Sequence, residues 1–135
     1  MRLALLLCFL ALGLAACGAE PRDSAEDFAG DERAVAAAVE DLESAARDND
    51  TEAVCTKLFA QRLLSTLEQG GTDCAEAVED AFQDADAMEI TVDEVTISGD
   101  TARATVTSGT GDNEKTDTLE LEKVGATWRI SSLQA

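Results

Sequence analysis

The side chains best suited to covalent chemistry in this sequence are its four cysteines, Cys8, Cys17, Cys55 and Cys74. A thiolate is a strong nucleophile, and two thiols in an oxidising compartment form a disulfide. The sequence contains no histidine and no tyrosine. A Ser-His-Asp or Cys-His catalytic arrangement and a His-containing zinc site are therefore excluded, and the commonest general base is missing. We expect no catalytic, cofactor-binding or metal-binding residues.

Cys17 follows a segment with the build of a secretory signal peptide. Residues 1–16 place a basic residue before an apolar run and end in small residues. The run is shorter than the about 20 apolar residues that a membrane-spanning helix needs. The tetrapeptide Leu14-Ala15-Ala16-Cys17 resembles the bacterial lipobox. That resemblance implies acylation of the Cys17 thiol and cleavage just before it, which also removes Cys8.

An acylated Cys17 predicts an exported protein held by lipid at the outer side of the cytoplasmic membrane. Each buried lipid methylene contributes about 0.8 kcal/mol, and stable anchoring takes two acyl chains or more. The alternative is an ordinary signal peptide followed by a chance cysteine. Both alternatives place the folded part of the chain outside the cytoplasm, where disulfides persist.

The sequence is strongly acidic, with a formal net charge of −18 over 135 residues. Such a surface repels nucleic acid and anionic lipid headgroups, so we expect no nucleic-acid partner. Cation binding and simple solubility both fit this charge, and the spread of the acidic residues along the chain favours solubility. The length after removal of a signal peptide suits one domain.

The organisation of that domain can be read from hydrophobic spacing. We expect a flexible tether over residues 17–30, because this segment is poor in apolar residues, and a folded domain over residues 31–135. Asp31, Asp50 and Asp73 are candidate N-caps of three helices. The second helix is expected to break near Phe59–Ala60, and Gly70-Gly71 to end it.

From Glu89 onward the pattern changes to the two-residue alternation of β-strands. The alternation slips at Asp93-Glu94, which predicts a bulge. Gly99-Asp100, residues 108–115 and Gly125 are turn signals between four strands. Helices followed by an antiparallel meander predict an α+β fold, with one face of the sheet covered by helices and the other more polar.

Cys55 and Cys74 lie near apolar positions of the second and third predicted helices, so they can meet within the helical layer. An exported chain favours a structural disulfide between them, which in the chain-entropy model stabilises by roughly 3 kcal/mol. Free buried thiols and a redox or nucleophilic pair are the alternatives. The sequence has no Cys-x-x-Cys spacing and no histidine to support the last of these.

Three helices followed by a four-strand meander resemble small members of the nuclear transport factor 2-like superfamily, in particular short lipoproteins of actinobacteria. The likeness covers about residues 31–135. It is carried by the run AVAAAVEDLESAARDNDTEAVC and by Trp128-Arg129-Ile130 in the last strand. The resemblance implies a cone in which a curved sheet wraps around helices and leaves a pocket at its open end. Enzymes of this superfamily usually place Asp, His or Tyr there, and we carry over no active site.

Three hypotheses of function follow. The first is a non-enzymatic lipoprotein that binds a small molecule or an envelope protein partner. The second is a small enzyme with a buried carboxylate of raised pKa in the pocket. The third is an accessory subunit of a cell-envelope complex, which would expose an apolar patch. Arg103, Arg129 and Trp128 are the candidate pocket residues; the two arginines would bind an anionic group if they pointed inward, whereas Trp128 also fits a core position.

Overall fold

The structure, a computed structural model, describes residues 23–83, 89–109 and 111–134. The signal segment and the expected acylation site Cys17 lie outside the described residues. Within them, a layer of helices packs against one face of a four-stranded antiparallel sheet. The predicted α+β class, with helices before strands, is confirmed. None of the described helices combines the length and the apolar character needed to cross a membrane.

The first helix, α1, spans Gly30–Asp48 and turns its apolar stripe toward the sheet. Val35 and Val39, one helical turn apart, are fully buried. The prediction of Asp31 as the N-cap is wrong: α1 begins at Gly30 after the N-cap Ala29. Asp31 lies inside the first turn and forms an ion pair with Lys123 at 3.2 Å. A carboxylate in the first turn still stabilises the helix, because its negative charge lies near the positive end of the helix dipole.

The second helical region is interrupted at Phe59–Ala60, as predicted. It begins with α2 (Thr51–Ala53), where the Asp50 carboxylate accepts a 2.9 Å hydrogen bond from the Ala53 N–H. The helix then continues as a π-helix over Val54–Leu58. The predicted N-cap and the predicted break are therefore both confirmed, whereas the π-helical geometry has no signal in the sequence pattern.

Two further helices complete the layer. Helix α3 spans Gln61–Gln69, and Gly71 follows it with a φ of +81°, a conformation that glycine adopts without strain. Helix α4 spans Cys74–Phe82. The carboxylate of Asp73 caps α4 by accepting a 2.9 Å hydrogen bond from the Ala75 N–H, as predicted.

The sheet is an antiparallel meander in which each of the four strands pairs with the next one along the chain. Pairing shifts by one residue between Val92 and Glu94, which confirms the predicted bulge. A second, unpredicted shift leaves Ser131 as the extra residue of the last strand. The strands are β1 (Ile90–Ser98), β2 (Thr101–Ser108), β3 (Lys115–Val124) and β4 (Thr127–Gln134).

The two faces of the sheet differ as the alternation predicts. On the inner face, Ala104 of β2 pairs with Leu119 of β3, and both side chains are buried against the helices. On the outer face, Arg103 pairs with Glu120 and both side chains contact solvent. The core therefore lies between the helical layer and the inner face of the sheet.

The helix break at Phe59–Ala60 covers one edge of the sheet. The Ala60 N–H donates a 2.8 Å hydrogen bond to the Ile130 carbonyl, and Phe59 forms a parallel bridge with Ile130. An edge strand presents unpaired backbone groups, and this contact satisfies one of them on β4. The break thus fixes the helical layer to the sheet.

The segment before α1 differs from the flexible tether expected over residues 17–30. Ser24–Asp27 form a 3-10 turn in which Ser24 is 1% exposed and Ala25 is also buried. The Glu40 side chain on α1 accepts hydrogen bonds from both residues. Two polar contacts with α1 therefore bring this short acidic stretch into the folded domain, despite its few apolar residues.

Candidate functional site

An apolar cavity of about 300 Å³ lies between the helical layer and one end of the sheet. Within the part of the chain that the structure describes, its lining is apolar except for two side chains, Ser108 and Asp117. The helical residues that line it are Leu42, Val54, Phe59, Leu63, Leu67, Ala77, Val78, Ala81 and Phe82, and the strand residues are Ile90, Val106, Ser108, Asp117, Leu119 and Leu133. A concave apolar site with few polar groups is typical of small-molecule binding.

The strand residues reach the cavity because, in a meander, the starts of β1 and β3 lie at the same end of the sheet as the ends of β2 and β4. Ile90 starts β1 and Ser108 ends β2, while Asp117 lies near the start of β3 and Leu133 near the end of β4. The tight turn at Gly99 lies at the other end of the sheet. The cavity is therefore at the open end of the layered structure, as the cone resemblance implies.

A disulfide bond between Cys55 and Cys74 holds two helical walls of the cavity together. Cys55 belongs to the π-helix, whose Val54 is a wall residue, and Cys74 begins α4, whose Val78 is another. The Cα atoms of the two cysteines are 6.1 Å apart. The predicted pairing is confirmed, and its effect is to fix the start of α4 beside the π-helix.

Asp117 is a cavity residue that the sequence pattern did not predict. It pairs with the buried Val106 of β2 and shares the inner face with Leu119 and Leu121, two and four positions further on. Its side chain is half-buried. The same alternation, carried back two residues from Leu119, would have found it, but the segment before Leu119 gave no strand signal of its own.

The expected pocket residues Arg103 and Arg129 do not line the apolar cavity. The alternation along β2 places Arg103 on the outer face, where its guanidinium contacts Glu120 at 3.3 Å and its side chain is 71% exposed. Arg129 is next to the covered sheet edge, where it donates a 3.2 Å hydrogen bond to the Thr56 carbonyl. Neither arginine is placed to bind an anionic group in the cavity.

Trp128, the third expected pocket residue, is buried in the core at the other end of the sheet. It pairs with Lys123 next to the Gly125 turn, and the Lys123 ammonium lies 5.5 Å from the centre of the indole ring. Its exposure of 4% fits the core interpretation. Trp128 therefore stabilises the closed end of the domain and does not line the cavity.

One buried carboxyl group lies near the cavity. Glu43 on α1 is 7% exposed, and burial raises its pKa, whereas the nearby Arg47 guanidinium opposes this by attracting the charged form. Glu43 and Arg47 form an ion pair one turn apart on the helix. Its neighbour Leu42 lines the cavity, but Glu43 does not.

A second hollow of about 410 Å³ lies on the outer face of the sheet. Its lining is polar and of mixed charge, with two arginines and two glutamates among hydroxyl-bearing side chains. The charged members are Arg62, Arg103, Glu120 and Glu122. Arg103 and Glu120 pair with each other, and Arg62 and Glu122 carry opposite charges, so these four side chains together have no net charge.

A model of a known protein family matches most of the chain. The family is described as "Putative lumazine-binding", and the match covers residues 30–133, from the start of α1 to near the end of β4. All the elements that line the apolar cavity fall within this range. Comparisons with curated proteins and with solved structures gave no match.

Proposed function

The chain belongs to the family described as "Putative lumazine-binding", and we propose that it binds a small molecule with a flat apolar body in the cavity at the open end of the sheet. Membership in this family, together with helices followed by a four-strand meander, agrees with the nuclear transport factor 2-like fold. The observation that carries the proposal is the cavity lining, in which Ser108 and Asp117 are the only polar side chains that the described residues contribute.

The dimensions of the cavity define the class of ligand. Small-molecule pockets run from about 300 to about 1,000 Å³, so this one lies at the lower end and suits a body of one or two rings. Apolar walls on both sides favour a flat ring system, and the two polar groups at one edge fix its orientation. Lumazine, a bicyclic heteroaromatic compound, is the probe that the family description suggests.

Filling the cavity tests this proposal. Purified protein is titrated by calorimetry with lumazine and with 2-naphthylmethanol, a neutral bicyclic probe. Ala77 lines the cavity on α4, so Ala77→Phe should fill it and weaken binding at least about tenfold, or 1.4 kcal/mol. Ala34→Phe makes the same change at an exposed position of α1 and should leave affinity unchanged. Absence of binding by both probes, or an unaffected Ala77→Phe variant, contradicts the proposal.

We further propose that the protein acts outside the cytoplasm, held to the membrane by lipid on Cys17. The support is the signal-like segment of residues 1–16 and the lipobox resemblance that ends in Cys17. The disulfide between Cys55 and Cys74 is compatible with export, because such bonds persist in oxidising compartments. The lipid keeps the binding domain at the membrane surface, where it meets ligands that arrive from outside the cell.

Mass spectrometry and cell fractionation test this location. The first peptide of the mature protein should begin at Cys17 and carry the mass of acyl chains. Cys17→Ala should move the protein from the membrane fraction to the soluble fraction. Cys8→Ala changes a cysteine that cleavage removes, so this variant should stay with the membrane. A mature chain without acyl mass contradicts the anchor but leaves the cavity proposal intact.

The other two hypotheses receive less support. Glu43 is a buried carboxyl group of raised pKa, as an enzyme would need, but it is engaged by Arg47 and does not line the cavity. Among the described residues, the exposed large apolar side chains are Val124 and Leu133. These lie at opposite ends of the β3–β4 pair and form no contiguous patch of the kind that docks a partner.

A further inference from the structure

Among the described residues that line the apolar cavity, Asp117 is the one with a charged side chain. No hydrogen bond or ion pair engages it among residues 23–83, 89–109 and 111–134. Two acidic side chains of the outer face are engaged: Glu120 contacts Arg103, and Asp93 accepts a 2.7 Å hydrogen bond from Thr107. As far as the described residues are concerned, Asp117 is thus available to a ligand in the cavity.

The surroundings of Asp117 strengthen its interaction with a ligand. Val106 pairs with it across the sheet, and Leu119 and Leu133 lie beside it in the lining. Apolar neighbours displace water and lower the local dielectric, so a charge opposite this carboxylate gains more than it would at the open surface. Lys115 is two residues away on the same strand but is exposed and forms no ion pair with Asp117.

Ser108 supplies the second polar group of the site. In the register of β2 and β3, Ser108 pairs with Lys115 and Val106 pairs with Asp117, so Ser108 is a diagonal neighbour of Asp117 on the inner face. A hydroxyl both donates and accepts hydrogen bonds, whereas the carboxylate only accepts. Together they suit a head group with several N–H donors.

The charge of the whole chain points the same way. A net charge of −18 creates a negative potential around the domain that attracts cations and repels anions. The proposed anion-binding role of Arg103 and Arg129 has no place in the cavity, because both side chains lie outside it. The field of the protein and the charge of Asp117 in the cavity lining therefore both favour a cationic ligand.

We propose that the cavity selects amphiphilic cations: molecules with a flat apolar body and a protonated nitrogen that binds Asp117, with Ser108 as a second contact. This inference rests on the proposed small-molecule function and adds the charge class of the ligand. The apolar body lies against Leu63, Val78 and Phe82, and the charged head lies at the strand edge of the cavity.

Three naphthalene probes of equal body and different charge test the selection: 2-naphthylmethylamine, which is protonated at neutral pH, 2-naphthylmethanol and 2-naphthoate. We expect the amine to bind about tenfold more tightly than the alcohol, as suits one partly desolvated ion pair, and the carboxylate to bind most weakly. Raising the salt concentration from about 0.05 M to about 0.5 M should weaken binding of the amine and leave the alcohol unaffected.

Asp117→Asn keeps the shape of the side chain and removes its charge. We expect this variant to bind the amine and the alcohol with similar affinity. Asp112→Asn removes the same charge from an exposed turn and should keep the preference for the amine. Circular dichroism checks that both variants are folded, and the probe series on the unaltered protein tests the selection independently of them.

The outcomes separate this inference from the proposed function. If the alcohol binds but the amine binds no more tightly, or if Asp117→Asn keeps the full preference, charge selection is wrong and the cavity proposal stands. If the carboxylate binds best, charge selection is also wrong. If no probe binds and lumazine does not bind either, the proposed function itself fails.

Discussion

The Ser24 hydroxyl donates a 3.0 Å hydrogen bond to Glu40 of α1. The same Ser24 oxygen accepts a 3.1 Å hydrogen bond from the backbone N–H of Val92, at the bulge of β1. A third bond of 2.8 Å runs from the Ala25 N–H to Glu40. Ser24 therefore joins the first helix to the first strand, and the folded domain begins several residues before α1.

Removing this hydroxyl should destabilise the whole domain. Ser24→Ala leaves the buried Val92 N–H without its acceptor, and an unsatisfied buried group costs about 1–3 kcal/mol of unfolding free energy. Urea denaturation followed by circular dichroism measures the change. Ser44→Ala alters an exposed serine on α1 and serves as the control. Equal midpoints for Ser24→Ala and the unaltered protein would show that the turn is not part of the cooperative fold.

The raised pKa of Glu43 should make the stability of the folded protein depend on pH. Burial raises its pKa above the ordinary value of 4.5, so the folded protein holds this proton more tightly than the unfolded chain does. Its contribution to stability therefore falls as the pH rises from about 4.5 through the raised pKa. Glu43→Gln removes that titration, and the variant should gain stability relative to the unaltered protein between pH 4.5 and pH 7.

Urea denaturation at both pH values measures this difference. Glu32→Gln, at an exposed position of the first turn of α1, controls for the change in total charge. A stability difference between Glu43→Gln and the unaltered protein that stays constant with pH would mean that the proton affinity of Glu43 is the same in the folded and unfolded states.

The disulfide should support both stability and the cavity. In the chain-entropy model, a loop closed between residues 19 positions apart stabilises by about 3 kcal/mol. The double variant Cys55→Ser, Cys74→Ser should lose about this much in guanidinium denaturation. It should also bind 2-naphthylmethanol more weakly, because Val54 and Val78 are no longer held at a fixed distance. The unaltered protein in reducing agent should behave like the double variant, and an unchanged midpoint there contradicts the prediction.

Alanine substitutions of Arg103 and Leu119 should differ sharply in their effects on stability and on probe binding. Arg103→Ala removes an ion pair on the exposed face, and such pairs contribute about 0–1 kcal/mol, so stability and probe binding should barely change. Leu119→Ala removes a buried side chain that lines the cavity and should cost about 2–5 kcal/mol. Thermal denaturation and probe titration measure both effects. If Arg103→Ala lost probe binding, the prediction would be wrong and Arg103 would contribute to the binding site.

Much of the local structure was predictable because local rules govern it. Asp50 and Asp73 have the short acceptor side chains that cap helices, and both do so. The bulge at Asp93-Glu94 followed from a slip in the alternation. Cys55 and Cys74 were predicted to pair from their apolar neighbours and the expected export, and they do.

The candidate site was less predictable. Positive charge makes Arg103 and Arg129 candidates for contact with a ligand. However, the alternation along β2 places Arg103 on the outer face, and Arg129 lies at the covered sheet edge, so neither lines the cavity. Asp117 lies in a polar stretch of sequence and only becomes a cavity residue through its pairing with Val106. Charge alone did not distinguish a ligand-binding side chain from one in solvent.

Local sequence accounts for the order of helices and strands, for the positions of most caps and turns, and for the acidic character of the chain. These features depend on neighbours a few residues apart. Three features arise only from tertiary packing. The Val92 N–H donates a hydrogen bond to Ser24, 68 residues away, and the Ala60 N–H donates one to the Ile130 carbonyl at the sheet edge. The third feature is the apolar cavity whose lining includes Asp117. Such contacts join distant parts of the chain, and their geometry depends on how the helices and the sheet pack together.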